Sequence, residues 1–403
     1  MKNSKNIAII GGGPSGLMAA EIIAAAGHQV TIYDAMPTFG RKFLMAGRGG
    51  LNLTHSEPLE KFITRYSEAA NWLEPHIKAF DPQQLRKWCE DLGQETFIGS
   101  SGRIFPKSMK ASPLLRAWLT RLNELGVQYR PRHLWQGFDG ENLIFKDANQ
   151  QIIKIKPDAT LLALGGASWP HLGSDGSWIK ILSECGVKIS ELRPSNCGFI
   201  TNWSEYLVSH FAGTPLKSIA VSHKNFSHKG EIIITKQGIE GGAIYALSAK
   251  LRESITSEGK AVLHLDLRPQ MSVADLARKL HIRKKESLSN YLRKAGFPPI
   301  ANALLHELFP ADHLAKTTPE ILAGYLKNLP ITLISTTSIT RAISTAGGIC
   351  QESLDENFML KSKPGVFIAG EMLDWEAPTG GYLLQGCFST AVAAANGILD
   401  FVE

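Results

Sequence analysis

Apolar residues in this chain come in short runs that glycine interrupts, separated by stretches with helical spacing. The first run, Asn6–Ile10, is continuous rather than alternating, which suits a parallel strand buried on both faces. Gly11-Gly12-Gly13-Pro14-Ser15-Gly16 follows it. Leu17–Ala26 is Ala-rich and predicts a helix that Gly27 stops, and Val30–Tyr33 predicts a second strand with Asp34 at its carboxyl end. Residues 57–95 predict two helices, around Leu59–Tyr66 and Pro82–Leu92, with Trp72, Leu73, Ile77, Phe80, Leu85 and Trp88 on their core faces. Ser101–Lys107 reads as a loop with Pro106 ending any strand, and Ser112-Pro113 as the start of a helix that runs to Gly126. A meander is expected over His133–Phe138, Asn142–Lys146 and Ile152–Ile155, then a buried strand from Ala159 that ends in Leu164-Gly165-Gly166.

The second half changes character. Asp175–Cys185 predicts a helix closed by Gly186. From Arg193 to Asp266 the chain is β-rich, with strands expected at Gly198–Asn202, Ile219–His223, Glu231–Thr235 and Ala261–Leu265. Within that region Glu240–Leu247 is a glycine turn entering a helix. Ser272–Asn328 is helical, with a capping start at Ser272-x-x-Asp275 and a later one at Thr318-Pro319-Glu320. Arg341–Gly348 ends in a glycine pair, Gly365–Glu371 is a last strand, and Gly380-Gly381-Tyr382 leads into a small-residue helix over Cys387–Ile398. Strands alternate with helices at both ends, so the C-terminal part returns to the first domain and the class is α/β.

The N-terminal stretch carries specific chemistry. Gly11, Gly13 and Gly16 stand at G-x-G-x-x-G spacing directly after a strand and before a helix. Gly11 suits the tight turn, Gly13 lets backbone approach a pyrophosphate, and Gly16 lets helix and strand pack closely. The helix start, with Pro14 and Ser15, offers unpaired N–H groups and a positive dipole end to phosphates. Asp34 accepts the hydrogen bonds of a ribose diol and argues against a 2′-phosphate, leaving FAD and NAD both open at this point. The loop from Met36 to His55 is basic and rich in glycine: Arg41, Lys42 and Arg48 could face an anion, Gly47 and Gly49 admit a flat ligand, and Asn52 offers hydrogen bonds. Leu134, heading the meander, counts among the cofactor-binding residues, as do Gly165 and Gly166 at a strand's carboxyl edge. So do Gly370, Glu371, Asp374, Gly381, Tyr382 and Leu383 near the C-terminus. A helix beginning beyond Gly381 could stabilise negative charge on a reduced flavin. A glycine–acid motif at the far end, returning to the same sheet, favours FAD over NAD as the tightly held cofactor.

Composition narrows the setting. The chain has 403 residues, enough for two or three domains, with 44% hydrophobic and 20% charged residues as in a globular protein. A formal charge of +6 permits an anionic partner. The basic run of Arg278, Lys279, Arg283, Lys284, Lys285, Arg293 and Lys294 is either a phosphate-contact surface or a solvated helix face. The five cysteines, Cys89, Cys185, Cys197, Cys350 and Cys387, form no C-x-x-C pair, so neither zinc nor a local dithiol is indicated. No apolar stretch approaches the ~18 uninterrupted residues of a membrane span. The expectation is a leaderless, soluble, cytoplasmic protein with no metal and no stable protein partner.

The full set of motifs resembles the BaiN/RdsA-like family of NAD(P)/FAD-dependent oxidoreductases, the aminoacetone-oxidase-like flavoproteins. The resemblance rests on Gly11–Gly16, Gly40-Arg-Lys42, Gly47–Thr54, Gly102–Pro106, Leu164-Gly-Gly166, Thr235 with Gly238–Gly242, Thr345–Gly348, Ala369–Asp374 and Thr379–Tyr382, in that order. It implies a two-dinucleotide-fold FAD-binding Rossmann-like domain (1–193 and 340–403). Into it are inserted a β-rich, barrel-like domain (194–270 and 330–339) and a helical subdomain (271–329). It further implies a flavin reductase of an activated C=C bond, in an enone or in a uridine of ribosomal RNA. The chain has no clear second dinucleotide fingerprint, so NADH or NADPH as electron donor would bind transiently or not at all. An oxidase of a small amine or alcohol and a non-catalytic flavin-bearing protein are the alternatives. The family's glycine loop commonly reads Arg-Cys-Asn where this chain has Gly50-Leu51-Asn52, so the cysteine is absent and the chain resembles a divergent branch. Lys42, His55 and Tyr382 are the remaining candidates for proton donor, and segment 278–294 for contact with RNA.

Overall fold

A computed structural model of the chain describes residues 4–47, 49–281 and 286–403. Arg48, Arg283, Lys284 and Lys285, named above for their charge, lie outside the described residues. The chain divides into two compact units, one of residues 1–193 with 344–403 and one of residues 194–343.

The first unit is built on five parallel strands: β1 (Asn6–Ile10), β2 (Gln29–Asp34), β3 (Gln128–Pro131), β4 (Ala159–Leu162) and β5 (Val366–Ile368). Their order is β3-β2-β1-β4-β5. The chain moves outward from β1 in one direction, then restarts on its other side at β4. That reversal leaves a crevice at the carboxyl ends of β1 and β4, where ligands bind in open parallel sheets. Helix α1 (Pro14–Ala25) follows β1, and α2 (Arg41–Ala46) lies in the glycine-rich loop after β2. Helix α3 (Tyr382–Val402) packs against α1 and is capped by Gly381. It is long and apolar enough to cross a membrane by composition, but 67% of its apolar window is buried within the protein, as for a core helix.

Three departures from the sequence reading have local causes. Ala70–Ala79 is helical despite Pro75, because Leu73 and Ile77 bury on one face and outweigh the lost backbone bond. Arg103–Pro106 is a strand rather than a loop. It pairs with Thr54–His55 and Thr96–Ile98, and Pro106 occupies its last position. The next helix begins at Ala111, with Ser112 and Pro113 inside its first turn, where proline's missing N–H has no partner to lose.

The second unit is a seven-stranded antiparallel sheet. The strands at the two ends of its order, Leu329–Leu333 and Ser335–Thr336, are separated in the chain by Ile334 alone. Adjacent residues are about 3.8 Å apart, so the two edges approach and the sheet is barrel-like. A long helix, Gly242–Glu258, packs on it. Helices Val273–Leu280, Leu288–Lys294, Pro299–Leu308, Ala311–Ala315 and Pro319–Lys327 follow. Ser272 caps the first and Thr318 the last, each accepting an N–H three residues on. A short helix at Glu205–Phe211 had no clear periodicity in the sequence and is started by the Ser204 hydroxyl.

Candidate functional site

The three motif glycines do different work. Gly11 ends β1 with φ at +108°, and a side chain there would meet the Ala163 carbonyl at 2.3 Å. A Cβ at Gly16 would stand 1.9 Å from the Gly11 carbonyl oxygen, so helix and turn are in backbone contact. Gly13 caps α1, and a Cβ there would meet nothing within 4 Å. The open space beside Gly13 faces the unpaired N–H groups of the helix start.

That space belongs to a groove enclosing about 1170 Å³ including its open mouth. It runs along the carboxyl ends of β1, β2 and β4. Its lining includes Gly11, Gly13, Pro14, Ser15, Asp34, Arg41, Lys42, Leu134, Gly165 and Glu371, which the sequence had singled out. Asp34 accepts from the Gly12 and Met36 N–H groups at 2.7 and 2.8 Å. Burial raises its pKa, against the lowering effect of those two N–H groups and of Arg41. Leu134 is exposed beside the buried Trp135, giving an apolar surface near Asp34.

Deeper in the groove, Lys42 Nζ donates to Ser168 Oγ at 2.7 Å and to Glu371 Oε2 at 2.6 Å. Glu371 Oε1 accepts from the Thr345 N–H at 2.9 Å, and Oε2 also faces the Gly166 N–H at 3.4 Å. The Cys387 thiol lines the same groove, but burial pushes its pKa up to about 12, so it stays protonated.

Three buried polar atoms of groove-lining residues, Arg41 Nε, Trp135 Nε1 and Ser174 Oγ, have no partner among the described residues. All three can donate, and unpaired buried donors are costly. An oxygen-rich, anionic ligand fits that donor set.

Other candidates lie elsewhere. Gly47 closes against Ala111, which a Cβ would approach to 2.6 Å, so its small size serves helix packing. Neither Gly47 nor Gly49 lines the groove. Asn52 Nδ2 donates to the Thr54 carbonyl and its Oδ1 accepts from the Gly381 N–H, each at 3.1 Å with the amide oriented to satisfy both. Asp374 accepts from Ser190 Oγ at 2.5 Å. Gly166 packs on Thr345, Gly370 on Ser15, and Leu383 against the core.

His55 and Tyr382 join a separate cluster. The Tyr382 hydroxyl donates to Glu57 Oε1 at 2.6 Å, and Arg65 grips both oxygens of Glu57 at 2.8 and 2.7 Å. Burial and the Glu57 carboxylate hold the Tyr382 pKa well above its ordinary value. His55 stacks on Tyr382. Its Nδ1 accepts from the Glu57 N–H, which leaves the proton on Nε2, facing the Ser101 carbonyl at 3.0 Å. Burial lowers the His55 pKa, consistent with this neutral form. Of the three proposed proton donors, only Lys42 reaches the groove.

The sequence reading missed Ser168, Ser174, Trp135 and Thr345 as parts of this site. Serines in a loop after a glycine pair carry no distinguishing pattern. Trp135 was visible only as one apolar position of a meander.

A family model described as the HI0933-like protein Rossmann domain matches residues 5–397. Over nearly its whole length the chain is similar to the 3-dehydro-bile acid delta(4,6)-reductase of Clostridium scindens. They share 26% identity, with 98% of this chain and 99% of that protein covered. It is also 24% identical to the ribosomal RNA dihydrouridine synthase of Haemophilus influenzae, covering 98% of each. Among solved structures it resembles the 3-ketosteroid delta1-dehydrogenase of Sterolibacterium denitrificans, with a TM-score of 0.55 and 12% identity over 99% of this chain and 100% of that one. At that identity the likeness is one of fold.

Proposed function

Since this chain belongs to the HI0933-like Rossmann family and is an FAD-dependent oxidoreductase, we propose that it reduces an activated carbon–carbon double bond. The observation that carries this reading is the pair of full-length relatives, both named for adding hydrogen across such a bond. When bound and reduced by an electron donor, the flavin would supply the hydride. The residues that would hold it are those of the groove. Asp34 would take the ribose diol, the start of α1 and Arg41 would face the pyrophosphate, and Leu134 would offer an apolar surface beside Asp34. His55 and Tyr382 keep their protons within the Glu57 cluster and are not assigned the proton transfer.

The substrate is an enone or a uridine of ribosomal RNA. The basic helical segment gives RNA less support than its composition suggested. Arg278 pairs with Asp275, and Lys294 pairs with Glu286 at 2.7 Å, so part of its charge is spent internally. NADH or NADPH is the proposed donor, and a cytoplasmic setting fits such a reaction.

The test mixes anaerobically reduced holoenzyme with a steroid enone or with ribosomal RNA. It follows flavin reoxidation together with the gain of two hydrogens in the product. Reoxidation by one of the two, with the matching product, supports the proposal. Failure with both, alongside oxygen-dependent peroxide release from a small amine, overturns it in favour of an oxidase. Loss of one dihydrouridine from ribosomal RNA in a deletion strain, restored by the wild-type gene but not by a Gly13→Glu version, would select RNA.

A further inference from the structure

Outside the groove, the short strands Thr54–His55, Arg103–Pro106 and Thr96–Ile98 form a small antiparallel sheet. Residues paired across strands, or two apart along one, share a face. His55, Arg103, Phe105 and Phe97 therefore lie on one side, and the buried Thr54 and Ile104 on the other. Phe105 and Phe97 stack with ring centroids 5.7 Å apart. Phe97 is 38% exposed, and so is Met109, which extends this apolar face over the glycine loop. A Cβ on Gly50 would stand 2.7 Å from Met109 Cε and 3.7 Å from the Phe105 ring, whereas one on Gly49 would meet nothing within 4 Å. Met109 is held there against its own preference. Its φ is +59°, a left-handed conformation that a side chain disfavours. Its N–H donates to the Pro106 carbonyl at 2.8 Å, and its carbonyl accepts from the Leu51 N–H at 2.9 Å. Strain that keeps a flexible, polarizable side chain in water is accounted for by a ligand that covers it.

The sheet face itself holds one cation. Arg103 is half-buried and has no ion pair or side-chain hydrogen bond among the described residues. Of the neighbouring cations, Lys107 pairs with Glu95, and Lys61 and Arg65 both pair with Glu57. Lys110, next to Met109, is exposed. One guanidinium with one surface ammonium suits a single anionic group, whereas an RNA chain is held through several phosphates. We propose that Met109, Phe105 and Phe97 form the apolar wall, and Arg103 the anion anchor, of a site for a flat, largely apolar small molecule with one anionic group. The glycine loop beneath Met109 runs on to Asn52, which accepts from the Gly381 N–H, so the wall and the start of α3 share one loop. None of the four residues lines the dinucleotide groove. The assignment rests on the double-bond reading and narrows it: the substrate is a ring-borne enone with an anionic tail. These residues determine specificity and take no part in hydride or proton transfer.

The test titrates oxidised holoenzyme, with no electron donor present, with 1-pyrenebutyrate and with its methyl ester in a calorimeter. Neither probe is an enone, so binding is read apart from reduction. Failure here and failure of the double-bond test are therefore separate results. Wild type should bind the acid about tenfold more tightly than the ester. Arg103→Gln should abolish that difference, and Arg103→Lys should keep part of it. Phe97→Ala and Met109→Gly should each weaken acid and ester alike, by about fivefold or more. Glycine accepts the backbone conformation at position 109, so Met109→Gly should melt no lower than wild type and retain its FAD. A merely structural Met109 would show the reverse, with lost stability and unchanged affinity.

Absence of binding to wild type, equal affinity for acid and ester, or variants that bind both as wild type does overturn the proposal. So does tighter binding of a uridine-bearing RNA hairpin that Phe97→Ala and Arg103→Gln weaken, which gives this face to RNA. If Arg103→Gln does not melt cooperatively, Arg103→Lys decides: an acid-to-ester ratio unchanged from wild type, with both weakened by Phe97→Ala, supports a charge anchor. Loss of binding to both probes in Arg103→Lys shows that the arginine only shapes the sheet and refutes it.

Discussion

Gly13 and Gly16 sit three residues apart in one motif, yet adding a methyl group should do opposite things at the two sites. At Gly16 the new Cβ would stand 1.9 Å from the Gly11 carbonyl oxygen and 3.2 Å from Ile9 Cγ2. Ordinary contact needs a retreat of about 1.5 Å, and the obstacle is backbone at the end of a central strand, which cannot swing aside. Overpacking of this kind costs about 3 kcal/mol at the upper end of its usual range. That lowers the melting temperature of the first unit by about 6–12 °C. At Gly13 the backbone is ordinary extended structure (φ −84°, ψ −175°) and no atom lies within 4 Å of the new methyl. The apoprotein should lose only about 0.5–1 kcal/mol, because alanine caps a helix less well than glycine. The methyl instead occupies the space through which the pyrophosphate meets the helix start. Losing one charge-assisted hydrogen bond there weakens FAD by about 10- to 100-fold. Calorimetric melts of the two apoproteins, with FAD titrations followed by flavin fluorescence, separate the two effects. The reasoning is refuted if Gly13→Ala destabilises the apoprotein as much as Gly16→Ala, or if Gly16→Ala melts within about 1 °C of wild type.

Further outcomes follow from the same geometry. Asp34→Asn should weaken FAD about tenfold, because an amide replaces an ionised acceptor. In the wild type, affinity should fall on acidification through the raised Asp34 pKa, and the variant should lack that step in titrations across pH. Burial raises the Glu57 pKa, but the Arg65 and Tyr382 hydrogen bonds outweigh it and bring the value from 4.5 down to about 2. Its stabilising contribution is therefore full above the unfolded value and lost as pH falls toward about 2. Glu57→Gln should remove about 1–2 kcal/mol in urea unfolding at neutral pH and flatten that acid loss. Tyr382→Phe should cost about 1 kcal/mol of stability while changing turnover less than about threefold, whereas a hundredfold loss of kcat would show that Tyr382 is the acid after all. Gly381 has φ at +95° and packs on Thr54 backbone, which a Cβ would reach at 2.5 Å. Gly381→Ala should therefore detach the Asn52 loop from α3, seen as faster hydrogen exchange of residues 52–57.

Much of the first unit was legible because its determinants are contiguous. Strand, glycine turn, helix and acid follow one another from Asn6 to Asp34, and the roles of Gly11, Gly13, Gly16 and Asp34 come from turn geometry and helix-end polarity that local spacing specifies. The fold class was legible for a related reason: buried parallel strands, capped helices and alternating strands each carry a short-range periodicity. The return of the C-terminal segment could be read from the glycine and acid that end its last strand. Long-range pairing left no such trace. Lys42 was marked as a basic loop residue, but only the sheet order sets its ammonium against Glu371. Gly47 has the spacing of an opening for a ligand, but the start of the helix Ala111–Glu124 fills the space beside it. Asp374 faces Ser190, and Tyr382 closes on Glu57 and His55, each across a separation that no spacing rule spans. The sequence by itself determined which segments become strands and helices and where a dinucleotide turn must form, because those depend on neighbours within one or two turns of chain. Only the tertiary structure decided which charged and polar side chains share the groove and which are spent holding it, because that depends on which elements pack together once the apolar faces are buried.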